Sequence, residues 1–341
     1  MNRTIGHIAV VGAGIAGLTT RVELAAAGFR VTSFDKGRGP GGRTSRRRAE
    51  SYEFDHGAQY FTARDPRFRA VVDRWVEAGS AAVWDARIGS LRNGRWVAGS
   101  GSTPRYVGVP GMNQPAKELA EAGSGELHLG TRVHAMVREG SDGPWRLHDE
   151  DGGLLVEADA VVLTVPPEQA LTLCDAVPAA QQPLAAAEVD PCWTVMAVFD
   201  PPLDRELDPG WDGAFVNEGA LAWVARNGSK PGRPATDAWV LHAGGEWSRR
   251  YLEQERDWVQ RALLSAFFET VGLPPRDPVW VAAHRWRYAR PRNQPVDRFW
   301  WSPEERLGLC GDWCVGGRVE GAFLSACALS NAIRVHASSV G

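Results

Sequence analysis

The segment Gly12-Ala13-Gly14-Ile15-Ala16-Gly17 constrains this chain more than any other. It follows the apolar run Ile8 to Val11 and opens an Ala-rich helical stretch. It is answered by Asp35, 23 positions after Gly12, at the end of a second apolar run. Strand, glycine turn, helix, strand and acid in that order make a dinucleotide-binding βαβ unit. Gly12 makes the tight turn, Gly14 lets the backbone approach a pyrophosphate and Gly17 lets helix and strand pack closely. The diphosphate then rests on free N–H groups at the helix N-terminus, while Asp35 accepts hydrogen bonds from ribose hydroxyls.

A second feature decides between a nicotinamide nucleotide and FAD as the resident cofactor. Just past Asp35-Lys36 comes Gly39-Pro40-Gly41-Gly42-Arg43, which returns backbone at Gly42 and the Arg43 guanidinium to the same doubly charged diphosphate. This points to FAD. The remaining arginines of the run, Arg46, Arg47 and Arg48, read as solvated, because the net charge is −3 and no second basic block supports nucleic-acid binding. Near the other end, Leu307 to Cys310 runs into Gly311-Asp312 and then Gly316-Gly317-Arg318-Val319-Glu320-Gly321-Ala322. This is strand, carboxylate, glycine turn and helix: Asp312 can hold a ribityl hydroxyl, and a helix starting near Gly321 can aim its positive end at the flavin pyrimidine.

These motifs, with Asp55-His56-Gly57-Ala58-Gln59-Tyr60-Phe61-Thr62 and His284-Arg285-Trp286-Arg287-Tyr288-Ala289, make the chain resemble the bacterial renalases, within the wider flavin amine oxidase-like group. The resemblance covers nearly the whole length. It implies a Rossmann-like FAD-binding domain of the glutathione reductase and amine oxidase type, interleaved with a smaller α+β substrate domain built on an antiparallel sheet. It extends the cofactor set to Ala13, Ala16, Lys36, Gln59, Tyr60, Val133 (adenine, through its backbone), Gly311, Val319 and Ala322. It also implies an activity: oxidation of isomeric dihydro-NAD(P), with the hydride at ring position 2 or 6, to NAD(P)+, the electrons passing to O2 to give H2O2.

Length and composition fit that class. At 341 residues and 44% hydrophobic the chain can bury a large core and form two domains. Apolar runs are short and interrupted, so no membrane span is expected. Arg3 followed by Ile8 to Leu18 superficially imitates a signal peptide, but the glycines at 12, 14 and 17 have an assigned role and no cleavage site follows. The expectation is a cytoplasmic protein, monomeric or weakly dimeric. Five cysteines without framework spacing agree with a reducing compartment. Cys310 and Cys314 read as buried thiols and not as half of a metal site, since His242 and His284 lie on strands elsewhere with no ligand spacing between them. No metal is expected.

The organisation is two interleaved units: residues 1–78, 105–172 and 292–341 for FAD, residues 79–104 and 173–291 for the substrate. Asp65-Pro66 caps a helix with Phe68, Val71, Val72, Trp75 and Val76 on its apolar face. Gly89, Asn93-Gly94 and Gly99 punctuate a strand-and-turn segment. A helix is read at 111–123, a string of strands from Glu126 to Val165, and strands at Thr194 to Phe199, Phe215 to Val224 and Trp239 to His242. One long helix is read from Ser248 to Val271, with Tyr251, Trp258, Leu263, Ala266 and Phe267 on its apolar side. Asn227 to Ala235, rich in Gly, Ser and Pro, reads as a mobile loop.

Most of the fifteen tryptophans read as core. Trp286 and Tyr288 are different, because their strand immediately precedes the return to the FAD unit, and a flat nicotinamide needs a flat apolar slot. With His242 and His284 they make the candidate substrate pocket. A dihydronicotinamide gives hydride directly to flavin N5 and becomes aromatic, so the protein must orient it but need not deprotonate it; no catalytic base is assigned. The alternative is an amine or small-heterocycle oxidase. It is disfavoured by the scarcity of lysine in the substrate half, where Lys230 falls in the expected loop. An aromatic monooxygenase is disfavoured by Trp313-Cys314-Val315 where that group usually has a Pro, and a flavin-holding protein without turnover is the non-enzymatic alternative.

Overall fold

Apolar runs that do not alternate with polar residues must be covered on both faces. The strands His7–Val11, Arg30–Asp35 and Ala160–Leu163 satisfy that demand at the centre of a six-stranded sheet, where they pair in parallel. Its order is Trp300–Ser302, Leu307–Leu309, Ala160–Leu163, His7–Val11, Arg30–Asp35, Glu126–Leu129, with only the Trp300–Ser302 edge antiparallel. Ile8 and Val10 point to a cluster with Ala16 and Leu24 of the helix Ile15–Ala26 and Leu329 and Ile333 of the helix Val319–Val340. Ala9 and Val11 point the other way, to Met136, Trp145 and Leu147 of a three-stranded antiparallel sheet. This computed structural model describes residues 5–340 except 93, 94, 100, 102, 141, 204, 205, 208, 209 and 217; the expected Asn93-Gly94 turn and Arg3 lie outside the described residues.

A second sheet has seven strands in the order Trp280–Pro291, Val189–Val198, Ala238–Ala243, Leu221–Arg226, Gly213–Val216, Ile88–Arg92, Arg95–Ala98. It is antiparallel except where Gly213–Val216 meets Ile88–Arg92. The period of two divides Val189–Val198, the second strand of this sheet. Trp193, Val195 and Ala197 pack on Val259, Leu263 and Phe267 of the helix Arg256–Val271. Met196 and Val198 face Phe54 on the opposite side. Thr194 shares that opposite side by the same alternation.

The structure corrects several expectations. The single helix from Ser248 to Val271 is two, Gly245–Arg250 and Arg256–Val271. Between them the Tyr251 carbonyl accepts the Trp193 indole N–H at 2.9 Å and the Leu252 carbonyl accepts from Arg285 at 2.8 Å, so the carbonyls that would carry the helix onward are committed elsewhere. Trp258 lies on the exposed side, and the buried positions are Val259, Leu263, Phe267 and Phe268. Phe215 to Val224 is a hairpin of two strands turning at Gly219, where φ is +72°. The helix read at 111–123 occupies Gln114–Ala122. On Pro66–Glu77, capped by Asp65 as expected, Val76 sits at the exposed edge. Arg46 is not solvated: its side chain is buried and paired with Glu53. Asn227 to Ala235 is not a free loop either, since Asn227 and Lys230 are among the most buried polar residues of the chain.

Candidate active site

A single elongated cleft of about 1640 Å³ runs from the glycine turn to the second sheet. It lies at the carboxyl ends of the parallel strands, where open α/β sheets bind ligands, and it exceeds the ~300–1,000 Å³ of common ligand sites. One end is made of backbone. Gly12 adopts φ +115°, and a Cβ on Gly17 would collide with the Gly12 carbonyl, so helix and strand meet at a distance only glycine permits. A Cβ on Gly14 would meet nothing within 4 Å, leaving its backbone open to a ligand. Asp35 steadies the turn, its two carboxylate oxygens accepting the N–H groups of Ala13 and Gly37 at 2.6 Å. The Gly41 N–H reaches the Ala13 carbonyl at 2.8 Å, bringing Gly42 and Arg43 to the same cradle. Lys36, Val133, Thr131 and Ala16 line this end. The open backbone at Gly14, the acid and the converging cation fit a flavin dinucleotide.

Midway, Arg43 donates bidentately to Asp312 at 2.5 and 2.9 Å and to the Ala289 carbonyl at 3.1 Å. The Arg43 guanidinium, expected at the diphosphate, is thus tied to the residue expected at the ribityl chain. Gly311, Asp312, Val319 and Ala322 line the cleft. Gly321 does not; it lies under Val315, whose carbonyl a Cβ there would strike. The C-terminal helix begins at Val319, and the buried Glu320 accepts the N–H groups of Arg64 and Asp65 at 2.5 and 2.7 Å, fixing the loop beside it.

The far wall is aromatic and imidazole. Thr194 pairs with His242 on one side and His284 on the other, so these two histidines, which sequence spacing separates, flank one residue of the strand Val189–Val198. His56 completes the group: its ring lies 4.7 Å from His284 and 4.9 Å from Trp286, and Trp286 lies 4.5 Å from His284. The His56 carbonyl accepts both the Trp286 indole N–H at 3.0 Å and His242 Nε2–H at 3.2 Å. His242, His284, Trp286 and Tyr288 all line the cleft, and they are joined there by Phe215, Trp223 and Cys192. Past Trp286 the strand register slips, four steps matching two on its neighbour, and beyond the resulting bulge the Ala289 carbonyl meets Arg43.

Electrostatically this wall is neutral. Burial, with His284 beside it, pushes His56 down to about 3. Burial pushes His242 down to about 4, and burial with the charges of Arg47 and Arg256 does the same to His284. The three rings are therefore uncharged imidazoles near neutral pH. Burial likewise raises the Cys192 thiol to about 12. Among the described residues the cleft carries three carboxylates, Asp35, Asp190 and Asp312, and each is engaged: Asp35 by backbone N–H groups, Asp190 by Arg249 and Arg292, Asp312 by Arg43. Arg64, Arg256, Arg290 and Arg318 also line it, are exposed and pair with no carboxylate among the described residues.

Behind the wall lies a buried ion cluster that sequence reasoning did not find. Asp55 takes Lys230 at 3.2 Å and Arg233 at 2.5 Å, with the Met112 N–H at 2.9 Å, all inaccessible to water. Burial alone would raise the Asp55 carboxyl, but the two cations hold it below its usual range. Burial lowers Lys230 to about 8, against the pull of Asp55. Lys230 also donates to Gln59 Oε1 at 3.1 Å, and the Gln59 amide donates to the Asp55 and Gly57 carbonyls at 2.5 and 3.1 Å. The Gln59 side chain thus braces the loop; Tyr60 beside it lines the cleft. Cys310 and Cys314 are buried and free, Cys310 against Thr20, away from the cleft. No group of three or more His, Cys, Asp or Glu among the described residues is arranged to hold a metal. Among the described residues no helix is long and apolar enough to cross a membrane.

Comparison with known proteins agrees with this architecture. Residues 10–75 match the NAD(P)-binding Rossmann-like domain and residues 75–334 match the flavin containing amine oxidoreductase family. The fold superposes on a protein described as a protoporphyrinogen oxidase from Exiguobacterium sp. 255-15 with a TM-score of 0.77 at 15% identity, covering 97% of this chain and 99% of that one. It superposes on putrescine oxidase bound to putrescine with a TM-score of 0.74 at 15% identity, covering 96% and 98%. In sequence it is 30% identical over 202 residues to the tRNA 5-methylaminomethyl-2-thiouridine biosynthesis bifunctional protein MnmC of Cupriavidus necator. That match covers 46% of this chain and 30% of the relative, so the chain spans less than a third of that relative's length. With that family match over residues 75–334, most of its length, the chain belongs to the flavin-containing amine oxidoreductases.

Proposed function

We propose that this flavoprotein oxidises dihydronicotinamide nucleotides whose hydride sits at ring position 2 or 6, returning NAD(P)+ and reducing O2 to H2O2. The charge balance of the cleft carries the reading. Among the described residues every carboxylate there is already engaged, whereas four arginines at its lining pair with no carboxylate, and the wall is neutral. A protonated amine would find no free counter-charge, while the phosphates of a nucleotide would find several guanidiniums. When bound, FAD supplies a two-electron acceptor that oxygen reoxidises. The residues orient the donor: Trp286 and Tyr288 bound a flat slot, and the ring becomes aromatic on losing hydride, so no side chain has to remove a proton. Lys230, saturated by Asp55, Gln59 and Asn227, is not free to hold a water in the cleft.

In this reading residues 1–78, 105–172 and 292–341 hold FAD and residues 79–104 and 173–291 hold the substrate, a division supported by the membership of the two large sheets. The five free cysteines suit a cytoplasmic setting. Flavin should be released intact by acid or heat, since the cysteine that lines the cleft, Cys192, is a weakly acidic buried thiol.

Anaerobic bleaching of the bound flavin tests the reaction. The 2- and 6-dihydro isomers should bleach it on the order of a hundredfold faster than ordinary NADH, because a misplacement of ~1 Å at the reacting carbon costs about that much. Air should restore the yellow colour with one H2O2 per NAD(P)+. Amine or small-heterocycle oxidation is the second reading, favoured by the family's description. Rapid bleaching by putrescine or benzylamine with inert dihydro isomers would put it in first place.

A further inference from the structure

The His56 carbonyl can only accept a hydrogen bond, so the His242 Nε2 at 3.2 Å from it must carry the proton. The ring is neutral, which leaves Nδ1 as a bare lone pair. That carbonyl is itself pinned: it also takes the Trp286 indole N–H, and its neighbour Asp55 is clamped by Lys230, Arg233 and the Met112 N–H. The tautomer is therefore set by a group with no freedom to turn away. His242 lines the cleft, and among the described residues its hydrogen bond is made through Nε2 and none through Nδ1. The neighbouring polar groups have partners of their own: the Thr194 hydroxyl is 4.0 Å from Cys192 Sγ, and the Cys192 thiol is directed to the Trp193 and Ala243 carbonyls.

We infer that His242 Nδ1 is an acceptor built into the substrate slot, one that selects a ring substituent bearing an N–H donor and rejects a carboxylate in the same place. Resting on the reaction proposed above, this makes His242 the residue that reads the nicotinamide carboxamide. An amide can turn its NH2 to the lone pair; a nicotinic acid head group offers only further lone pairs and a negative charge.

The test compares amide and acid heads on the holoenzyme. Calorimetry gives the affinity of oxidised NAD+ and of nicotinic acid adenine dinucleotide, and anaerobic bleaching gives the rates with their 6-dihydro forms. The wild type should favour the amide by about fivefold to a hundredfold, the range expected when a buried acceptor gains or loses its donor. His242→Leu should shrink that preference to within about threefold while the flavin stays bound, and His242→Gln, able to donate to the His56 carbonyl and keep an oxygen towards the cleft, should retain part of it. Equal affinity for both heads in the wild type overturns the inference, and the wild-type comparison needs no variant to fold. A preference that survives in His242→Leu also overturns it. Bleaching by amide and acid isomers alike leaves the proposed reaction standing and removes only the role of His242; failure of every isomer to bleach removes both.

Discussion

The nucleotide cradle and the histidine wall face each other across one cleft but are built from different material. The cradle is backbone: glycines at fixed spacing, one acid and N–H groups contributed by residues 12–43. The wall is side chains, and its hydrogen bonds join residues 186 and 230 positions apart, His242 and Trp286 to His56. A backbone site needs particular residues at particular offsets and so leaves a pattern. A side-chain site needs only that the fold bring its members together, and it is held by whatever anchors the fold supplies, here the ion cluster around Asp55.

That contrast can be broken first at the anchor. Asp55→Ala leaves Lys230 and Arg233 buried without their counter-charge, and should cost about 3–5 kcal/mol in denaturant unfolding; a loss below about 1 kcal/mol would mean that the wall does not depend on the cluster. Next comes the cradle. Asp35→Ala should weaken FAD binding by about 1.5–3 kcal/mol, roughly tenfold to a hundredfold in a flavin-release titration, and undiminished retention would show that the acid is not part of the site.

The third prediction uses acid. His56, His242 and His284 sit at about 3, 4 and 4 in the folded chain against 6.5 when exposed. Below 6.5 the unfolded chain binds protons that the folded chain refuses, so stability should fall as pH drops from 6.5 towards 4, by up to about 1.4 kcal/mol per pH unit for each ring. A thermal-melt series across that window checks the sign, and His56→Leu should flatten it. Smallest is Trp286→Phe, which keeps an aromatic wall but deletes the N–H to the His56 carbonyl; about 0.5–1.5 kcal/mol should be lost in unfolding, with FAD binding unchanged.

The sequence made the cradle legible down to single residues. Gly12, Gly14, Gly17 and Asp35 announced strand, turn, helix and acid, and Asp65-Pro66 announced a helix start that the structure places at the expected residue. It misled where long-range pairing decides the outcome. Asn227 to Ala235 has the composition of a solvated loop, yet Lys230 and Arg233 find Asp55, 175 and 178 positions away. Arg46 looked like one of a solvated run, and Glu53 buries it through the hairpin of Arg47–Ala49 and Tyr52–Phe54. The helix break at Tyr251 to Glu255 needed Trp193 and Arg285 from two separate strands. His56 stood within a motif that carried the family resemblance, but its part in the wall follows from its carbonyl, and no sequence pattern encodes that.

The division of labour between cradle and wall is tested most directly by a crossed pair of variants, Asp35→Ala and Trp286→Ala, each measured for FAD affinity and, with flavin bound to saturation, for the rate of anaerobic bleaching by a 6-dihydro nicotinamide dinucleotide. The account predicts separation: Asp35→Ala loses flavin affinity tenfold or more and bleaches near the wild-type rate once loaded, while Trp286→Ala keeps its flavin and bleaches slowly. If Trp286→Ala sheds flavin while bleaching normally when loaded, or if both variants lose both properties together, then the two ends of the cleft are not separate sites for cofactor and substrate.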